Sequence, residues 1–371
     1  MKKYSKILLT AVIIISLFGT LMIYSSSYVW AEYKFNDPYK YLKSQSIFLI
    51  LGYIVMFIVS KFPYQNYKKL SNIIFFICLG MLALVLIPGI GTVRNGSRSW
   101  FGIGGLGVQP SEFTKLGLII FTSKYLENNN KDLKDIKKGV LPILGVLFLV
   151  FALIMLEPDF GTGIVIVMTI IVLLFVSGVK MNFFIKLGVL GLLGVVVLVI
   201  IAPYRMERII SFINPWSDPL GSGFQIIQSL YAIGSGGLFG AGLGESKQKY
   251  LYISEPQNDF IFAIVAEELG FIGCLIIMIL FGILIWRGVL IAIKAPDTFS
   301  SLLATGIVSL VAIQVILNIA VVTSSIPNTG IPLPFFSYGG TALLILLCSM
   351  RYFTKHFTSG LKSIKGELEC E

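Results

Sequence analysis

The sequence predicts an all-α polytopic membrane protein with about ten transmembrane helices, and two observations lead to that fold class. Of the 371 residues, 56% are hydrophobic and only 13% are charged, whereas soluble domains are roughly 45–50% apolar and about 25% charged. The apolar residues also fall into runs that approach the roughly 20 residues a helix needs to cross a bilayer. We therefore expect a single membrane domain over residues 1–371.

Ten apolar segments are candidate spans. They lie at residues 7–24, 45–60, 71–88, 113–126, 140–156, 163–179, 183–202, 260–286, 301–325 and 341–353. Lys2, Lys3 and Lys6 before the first segment resemble the start of a signal peptide. Because more spans follow, we interpret this segment as an uncleaved first helix. Ten spans place both termini on the same side of the membrane.

The basic residues indicate which side that is. With both termini in the cytoplasm, most of the 29 lysines and arginines lie in inner connections or near the tail at 354–371, as the positive-inside rule expects. Attraction to an anionic membrane surface then accounts for the net charge of +10 without a nucleic-acid partner. This orientation places a large loop, residues 203–259, outside between helices 7 and 8.

The segments predicted to lie outside carry the unusual sequence. Glycine, proline and charged residues cluster at 89–112, 157–162, 203–259 and 326–340, whereas the inner connections are lysine-rich linkers. Ionisable residues at membrane depth are energetically expensive and by default mark functional sites. We therefore expect the chemistry of this protein on the outer face of the membrane.

Asp259 is the leading candidate for a catalytic residue, since it opens the eighth predicted span. Helical steps place Asp259, Ala263, Ala266 and Gly270 near one face. Such a stripe of small residues allows neighbouring helices to pack closely and leaves the carboxylate beside a crevice. An aspartate at this position is also typical of a helix N-cap, and one residue can serve both roles.

Three further carboxylates and one lysine lie within predicted spans or at their ends. Glu267 and Glu268 are adjacent on a helix, about 100° apart, so we expect them to face different partners and to be structural. Glu112 and Lys115 have the i, i+3 spacing of a helical ion pair. A lysine near a helix end usually extends to the interface, and an anionic ligand is an equal alternative partner for Lys115.

Two outer turns have distinctive chemistry. Glu157 and Asp159 precede the sixth span, where acidic residues suit the helix dipole; capping is therefore favoured, and a divalent cation held with waters is the alternative. The segment Pro332–Thr341 combines rigid turns, glycines and hydroxyls. We interpret it as a re-entrant loop, which membranes tolerate only where it is buried in protein or lines a cavity.

Taken together, seven motifs resemble the SEDS family of membrane proteins, which includes FtsW, RodA and SpoVE. In order along the chain they are Trp100 with Gln109–Lys115, Glu157–Thr162, Asn214–Pro219, Gly223–Ser229, Gly234–Gly237, Glu255–Gly270 and Gly330–Gly340. The Glu255–Asp259 stretch is closer to the FtsW and SpoVE branch than to RodA. Family members usually have His-Thr before this aspartate, whereas this chain has Gln257 and Asn258, a departure that bears on fine tuning.

The resemblance implies a peptidoglycan glycosyltransferase that polymerises lipid II on the outer face of the cytoplasmic membrane. The implied partners are a class B penicillin-binding protein transpeptidase and the proteins of a division, elongation or sporulation complex. Asp259 occupies the position of the catalytic aspartate, and Mg²⁺ or Mn²⁺ is the implied cofactor, with Glu157 and Asp159 as candidate ligands. The motif residues expected to bind substrate are Arg98, Trp100, Gln109, Ser111, Glu112, Lys115, Gln225, Gln228, Ser337 and Tyr338.

The residues agree with this chemistry. Asp259 would take the proton of the attacking sugar hydroxyl, and Lys115, Arg98 or a metal would stabilise the leaving diphosphate. A one-step displacement inverts the anomeric carbon and needs no second carboxylate. A lipid II flippase is one alternative, but it would need comparable access from both faces. A non-catalytic scaffold that recruits a transpeptidase is another, and it would not need Asp259.

Overall fold

The computed structural model describes residues 2–94, 96–103, 106–201, 203–350 and 352–353, so the predicted tail at 354–371 lies outside the described residues. Its helices are α1 (Lys2–Phe35), α2 (Lys40–Val59), α3 (Tyr64–Val85), α4 (Pro110–Asn128), α5 (Leu141–Leu156), α6 (Phe160–Val176), α7 (Met181–Ile201), α8 (Pro203–Ile213), α9 (Phe224–Gly236), α10 (Ile261–Ile293), α11 (Thr298–Val322) and α12 (Gly340–Met350). Its strands are β1 (Gly91–Arg94), β2 (Ser97–Ile103) and β3 (Leu106–Val108).

Each of the ten predicted spans contains a helix, namely α1 to α7 and α10 to α12. Within the described ranges, seven helices are long and apolar enough to cross a membrane, while α6 and α12 are shorter apolar helices. Helix α4 is the least apolar of the ten because it carries Glu112, Lys115 and Lys124. The all-α polytopic fold class is confirmed, whereas the number of ten crossings and their orientation remain predictions. We call the end of the bundle that the charge pattern assigns to the outside the outer end.

The 89–112 connection contains a small antiparallel sheet in the order β1-β2-β3, which the sequence analysis did not predict. Strand β2 pairs with β1 through Trp100 opposite Thr92, and with β3 through Phe101 opposite Val108. The hydroxyl of Thr341, at the start of α12, donates to the carbonyl of Gly107 at 2.9 Å. The sheet is thereby fixed to the outer end of the bundle.

Helices α10 and α11 pack side by side at the centre of the bundle, with α1 and α9 against α10, and with α4 and α6 against α11. Small residues allow these helices to approach closely. Gly236 of α9 lies against the backbone of Ala266, and Gly306 of α11 lies against Ile119 of α4. Ala263 and Ala266 are buried, so the predicted stripe of small residues on α10 does form a packing face.

Helix α10 is broken at Gly270, whose φ of 65° and ψ of −167° are not helical. The 237–249 segment lies against this break and satisfies its backbone. The Ala241 amide donates to the Glu267 carbonyl at 2.9 Å, and the Phe271 amide donates to the Gly237 carbonyl at 2.9 Å. Irregular backbone within a membrane bundle needs such partners. The predicted 203–259 loop therefore contains regular structure: helices α8 and α9, and the 237–249 segment that packs against α10.

Glu267 and Glu268 meet different partner residues, as expected, although both side chains contact the 237–249 segment. The Glu267 carboxylate accepts hydrogen bonds from the Ser246 hydroxyl and from the backbone amide of Lys247 at 2.9 Å. The Glu268 carboxylate accepts from Lys249 Nζ at 3.0 Å. The Glu268 carboxylate also accepts a hydrogen bond from the hydroxyl of Ser25 on α1 at 2.6 Å, so the two neighbouring carboxylates point in different directions and meet different sets of partners.

Candidate active site

Asp259 lies at the outer end, two residues before α10 begins at Ile261, and its side chain is half-buried. Phe260 is the residue at the helix start, so Asp259 is not the N-cap that the sequence suggested as one of its roles. The amide of Asn318 on α11 donates one hydrogen bond to the Asp259 carbonyl at 2.7 Å and another to the Ile331 carbonyl at 2.8 Å. The backbone of Asp259 is thus fixed to the 326–340 segment.

Arg208 on α8 is the positive charge that acts on Asp259. Burial raises the pKa of the Asp259 carboxyl above its usual range, the charge of Arg208 lowers that pKa, and the charge of Glu255 raises it again. The Arg208 guanidinium also donates to the Asn328 carbonyl at 3.1 Å. We did not predict a role for Arg208. The available signal was its outer location, where the positive-inside rule disfavours arginine.

The 326–340 segment packs against the loop that carries Asp259. The Tyr338 amide donates to the Gln257 carbonyl at 2.8 Å, while the Tyr338 hydroxyl donates to Ser44 at 3.1 Å. The Ser337 hydroxyl accepts the Leu333 amide at 2.8 Å, so Ser337 stabilises a turn within the segment. The backbone of Tyr338 therefore supports the loop that carries Asp259, whereas the side-chain hydroxyls of Ser337 and Tyr338 bond to other parts of the protein.

The turn before α6 holds Glu157 and Asp159 in different roles. Asp159 caps α6, since its carboxylate accepts the Thr162 amide at 3.0 Å, and its other oxygen accepts from Gln109 Nε2 at 3.3 Å. Glu157 is fully buried, and neither carboxylate oxygen has a hydrogen bond of good geometry among the described residues. Burial, followed by the nearby charge of Asp159, raises the pKa of Glu157 to about 8, and the nearby Ser99 hydroxyl partly opposes that rise. The favoured capping interpretation therefore applies to Asp159.

This turn does not fit the predicted divalent cation. Each oxygen of Asp159 already accepts one hydrogen bond, and without a metal the raised pKa of Glu157 keeps its carboxyl protonated near neutral pH. Among the residues that the structure describes, no group of three or more histidine, cysteine, aspartate or glutamate side chains could hold a metal ion. We assign no step of the reaction to a metal, and the Mg²⁺ or Mn²⁺ requirement stays a prediction.

The two cations expected to meet the diphosphate, Lys115 and Arg98, each contact another group of the protein, and their binding roles stay predictions. Lys115 Nζ lies 2.8 Å from the Glu112 carboxylate, and both side chains are buried, so Lys115 does not extend to the membrane interface. The Arg98 guanidinium donates to the Leu86 carbonyl at 3.4 Å. Ser111 is buried, and its hydroxyl has no partner within the described part of the chain. The i, i+3 pairing of Glu112 with Lys115 is confirmed as geometry.

The remaining predicted substrate residues lie around the site in varied surroundings. Gln225 on α9 donates to the hydroxyl of Ser254, five residues before Asp259. Gln228, also on α9, is half-buried. The carbonyl of Trp100, in β2, accepts the Thr92 hydroxyl at 2.9 Å. Gln225 therefore contacts the loop that carries Asp259, whereas the binding roles of Gln228 and Trp100 stay predictions.

These features define a class of protein: a polytopic helical membrane protein with a carboxylate at one end of the bundle, influenced by the charge of an arginine and fixed through hydrogen bonds to its backbone. Residues 5–355 match the cell cycle protein family of FtsW, RodA and SpoVE. The chain belongs to this family of integral cytoplasmic-membrane proteins, as the motifs predicted.

Individual relatives agree over nearly the whole chain. The chain is 52% identical to stage V sporulation protein E of Bacillus subtilis over 351 residues, covering 94% of this chain and 96% of that protein. It is 40% identical to the probable peptidoglycan glycosyltransferase FtsW of Geobacter sp. strain M18, over 94% of this chain and 95% of the relative. The predicted similarity to the FtsW and SpoVE branch is confirmed.

Solved structures show the same fold. A chain from a study of how a peptidoglycan synthase complex coordinates polymerisation and crosslinking superimposes with a TM-score of 0.79 at 29% identity, covering 95% of this chain and 97% of that chain. The rod shape determining protein RodA of Thermus thermophilus superimposes with a TM-score of 0.69 at 27% identity, covering 94% of each chain.

Proposed function

We propose that this chain is a peptidoglycan glycosyltransferase that polymerises lipid II on the outer face of the cytoplasmic membrane, with Asp259 as the general base. The names of the FtsW relatives support the activity. The observation that carries the assignment of the base is the position of Asp259, half-buried at the outer end and within the electrostatic influence of Arg208. There it is accessible to a sugar outside the membrane while a lipid tail remains in the bilayer.

Asp259 would act on the attacking sugar. Its carboxylate accepts the proton of the C4 hydroxyl as that oxygen forms a bond to the anomeric carbon of the second sugar. The bond from that carbon to the lipid diphosphate breaks in the same step, and the diphosphate leaves with the electron pair. Attack opposite the leaving group inverts the anomeric carbon, so a single carboxylate is sufficient.

Arg208 would act on the leaving group. A diphosphate gains negative charge as the glycosidic bond breaks, and a positive group aimed at that charge stabilises the transition state. Arginine suits this task because its planar guanidinium can bind two phosphate oxygens at once. We assign this role to Arg208 rather than to Lys115 or Arg98 because the charge of Arg208 acts on Asp259, whereas Lys115 is buried in an ion pair with Glu112.

A class B transpeptidase is the proposed partner, because one structural neighbour comes from a peptidoglycan synthase complex that polymerises and crosslinks. A polymerase working on the outer face would supply the uncrosslinked strands that such a transpeptidase joins. The similarity to a sporulation protein and to FtsW proteins is compatible with service in sporulation or division.

Polymerisation of purified lipid II in the presence of the cognate transpeptidase tests this proposal. We expect glycan strands from the wild type and from Glu245→Gln, an exposed carboxylate in the 237–249 segment, and none from a folded Asp259→Asn variant. Near-normal product from Asp259→Asn would remove Asp259 as the base. A wild type that binds its partner but makes no strands, and instead moves lipid II across vesicles, would favour a flippase; failure in both assays would favour a scaffold.

A further inference from the structure

Asn318 occupies an unusual position on α11, close to its outer end. Its side chain is fully buried, and its two amide hydrogens reach the carbonyls of Asp259 and Ile331 at 2.7 and 2.8 Å. These two carbonyls belong to segments that are more than 70 residues apart in sequence. A single side chain therefore joins the loop that carries Asp259 to the 326–340 segment.

The orientation of this amide follows from its surroundings. Both neighbours are carbonyl oxygens, which only accept hydrogen bonds, so the NH₂ group of Asn318 must face them. Its own oxygen is left without a hydrogen-bond partner among the described residues. An unsatisfied buried oxygen costs stability. An apolar residue of similar size would remove that oxygen but would leave the carbonyls of Asp259 and Ile331 without this donor, so the two hydrogen bonds are what an asparagine contributes at this position.

We propose that Asn318 is a positioning residue for Asp259: by holding the Asp259 backbone against the 326–340 segment, it sets where the carboxylate meets the attacking sugar hydroxyl. This inference rests on the proposed glycosyltransferase function. A second contact supports it, because Tyr338 of the same segment donates to the Gln257 carbonyl at 2.8 Å. The backbone of the loop that carries Asp259 is thus hydrogen-bonded at two points, residues 257 and 259.

Gln314, one helical turn below, provides a matched control. It is also a buried amide on α11, and its side-chain oxygen also has no partner in the described part of the chain. No hydrogen bond of the described residues links Gln314 to the Asp259 loop or to the 326–340 segment. Replacing either amide with leucine removes a comparable buried polar group, but only Asn318→Leu releases Asp259.

The first measurement is the steady-state kinetics of lipid II polymerisation by wild type, Asn318→Leu and Gln314→Leu, each with the transpeptidase present. Small misplacements of a catalytic group can cost roughly 100-fold in rate. We expect Asn318→Leu to lower kcat about 10- to 100-fold with KM within about 2-fold of wild type. Gln314→Leu should keep both constants near wild type.

The pH profile separates positioning from a general loss of structure. A released Asp259 loop is more hydrated, and its carboxylate keeps the charges of Arg208 and Glu255 nearby. Less burial favours the ionised form, so the acid limb of kcat should move to lower pH in Asn318→Leu and stay in place in Gln314→Leu. Wild-type kcat in Asn318→Leu, or a KM increase with unchanged kcat, would overturn the proposal.

Two further measurements keep the test decisive. If Asn318→Leu does not fold, Asn318→Ser takes its place: a hydroxyl donates one hydrogen bond, so kcat should fall less while KM is again unchanged. Hydrogen exchange of peptides spanning 253–262 and 326–336 requires no activity, and it should accelerate in the Asn318 variants only. If hydrogen exchange is unchanged in the Asn318 variants, the positioning role is refuted. If exchange is faster in those variants but the wild-type protein makes no glycan, only the proposed enzyme activity is refuted.

Discussion

Lys249 and Glu268 form an ion pair in the interior of the bundle, with Nζ 3.0 Å from Oε1 and both side chains fully buried. The hydroxyl of Ser25 on α1 donates to the same carboxylate at 2.6 Å. Lys249 Nζ also lies 4.8 Å from the centre of the Tyr28 ring. Because these contacts connect α1, α10 and the 237–249 segment, the pair holds the folded outer unit onto the helices.

Replacing Lys249 with methionine should destabilise the protein strongly. The change leaves the Glu268 carboxylate buried without its counter-charge, and breaking a buried pair from one side costs about 3–5 kcal/mol. The exposed neighbour Lys247 provides the control Lys247→Met, which should melt like wild type. The measurement is the melting temperature in detergent, read from the amount of folded protein that size-exclusion chromatography recovers after heating.

The double variant Lys249→Met/Glu268→Leu tests the cause of that loss. An apolar replacement for a buried ion pair is often neutral or stabilising, so we expect much of the thermal stability of Lys249→Met to return. If the double variant melts no higher than Lys249→Met, the unpaired carboxylate is not the cause of the destabilisation.

Gly270 should tolerate no side chain. Its φ of 65° is strained for other residues, and a Cβ there would collide with the backbone of Leu238 and Gly240. We expect Gly270→Ala to lower the free energy of unfolding by roughly 1–3 kcal/mol and to expose the 237–249 segment to protease. The control is Gly282→Ala, further along α10 where a Cβ meets open space, and it should be neutral or stabilising. Equal melting temperatures for Gly270→Ala and Gly282→Ala would contradict the close packing at Gly270.

Glu157 should make stability depend on pH. Its pKa is about 8 in the folded protein and near 4.3 in an unfolded chain, so the folded state holds the proton more tightly. That contribution to stability is complete below about pH 4 and is lost as the pH rises through 8. Glu157→Gln should therefore melt increasingly above wild type from pH 5 to pH 8, whereas the exposed control Glu245→Gln should not.

A divalent cation gives a separate outcome in the same experiment. If Mg²⁺ or Mn²⁺ raised the melting temperature of wild type but not of Glu157→Gln, the turn would bind metal, contrary to our interpretation of its donor set. If the cation instead changes the melting temperature of both proteins equally, Glu157 does not bind the metal and its carboxyl is a buried acid.

Arg208 should matter more for catalysis than for folding. We expect Arg208→Gln to lower kcat/KM for lipid II about 100-fold, the usual scale for losing one group that stabilises developing charge. Arg208→Lys should recover part of that loss, because it restores the charge without the two-point contact. Glu207→Gln on the same helix is the control. Unchanged kinetics in Arg208→Gln would show that another cation meets the diphosphate.

The orientation of the chain can be tested with single cysteines. We expect Leu220→Cys, which lies between α8 and α9 and is 88% exposed, to react with an impermeant maleimide added to intact spheroplasts. Lys131→Cys, in the exposed connection after α4, should react only after permeabilisation. The opposite pattern would reverse the orientation predicted from the loop charges.

The sequence alone determined the fold class, the helical segments and the outer clusters of motifs. Apolar run length is a local property, because the bilayer sets it for each helix separately. Motif order is also read directly from the chain, and it led to the family and to Asp259. The i, i+3 pairing of Glu112 with Lys115 was likewise visible, since helix geometry places those residues together.

Only the tertiary structure decided which partners these residues meet. The contact of Asn318 with Asp259 and Ile331, the charge of Arg208 near Asp259, and the Lys249–Glu268 pair all join residues distant in sequence. No periodicity in the chain encodes such contacts, because they depend on how the helices and the 203–259 unit pack together. The same packing buried Lys115 and Glu157, whose surroundings a linear pattern does not reveal.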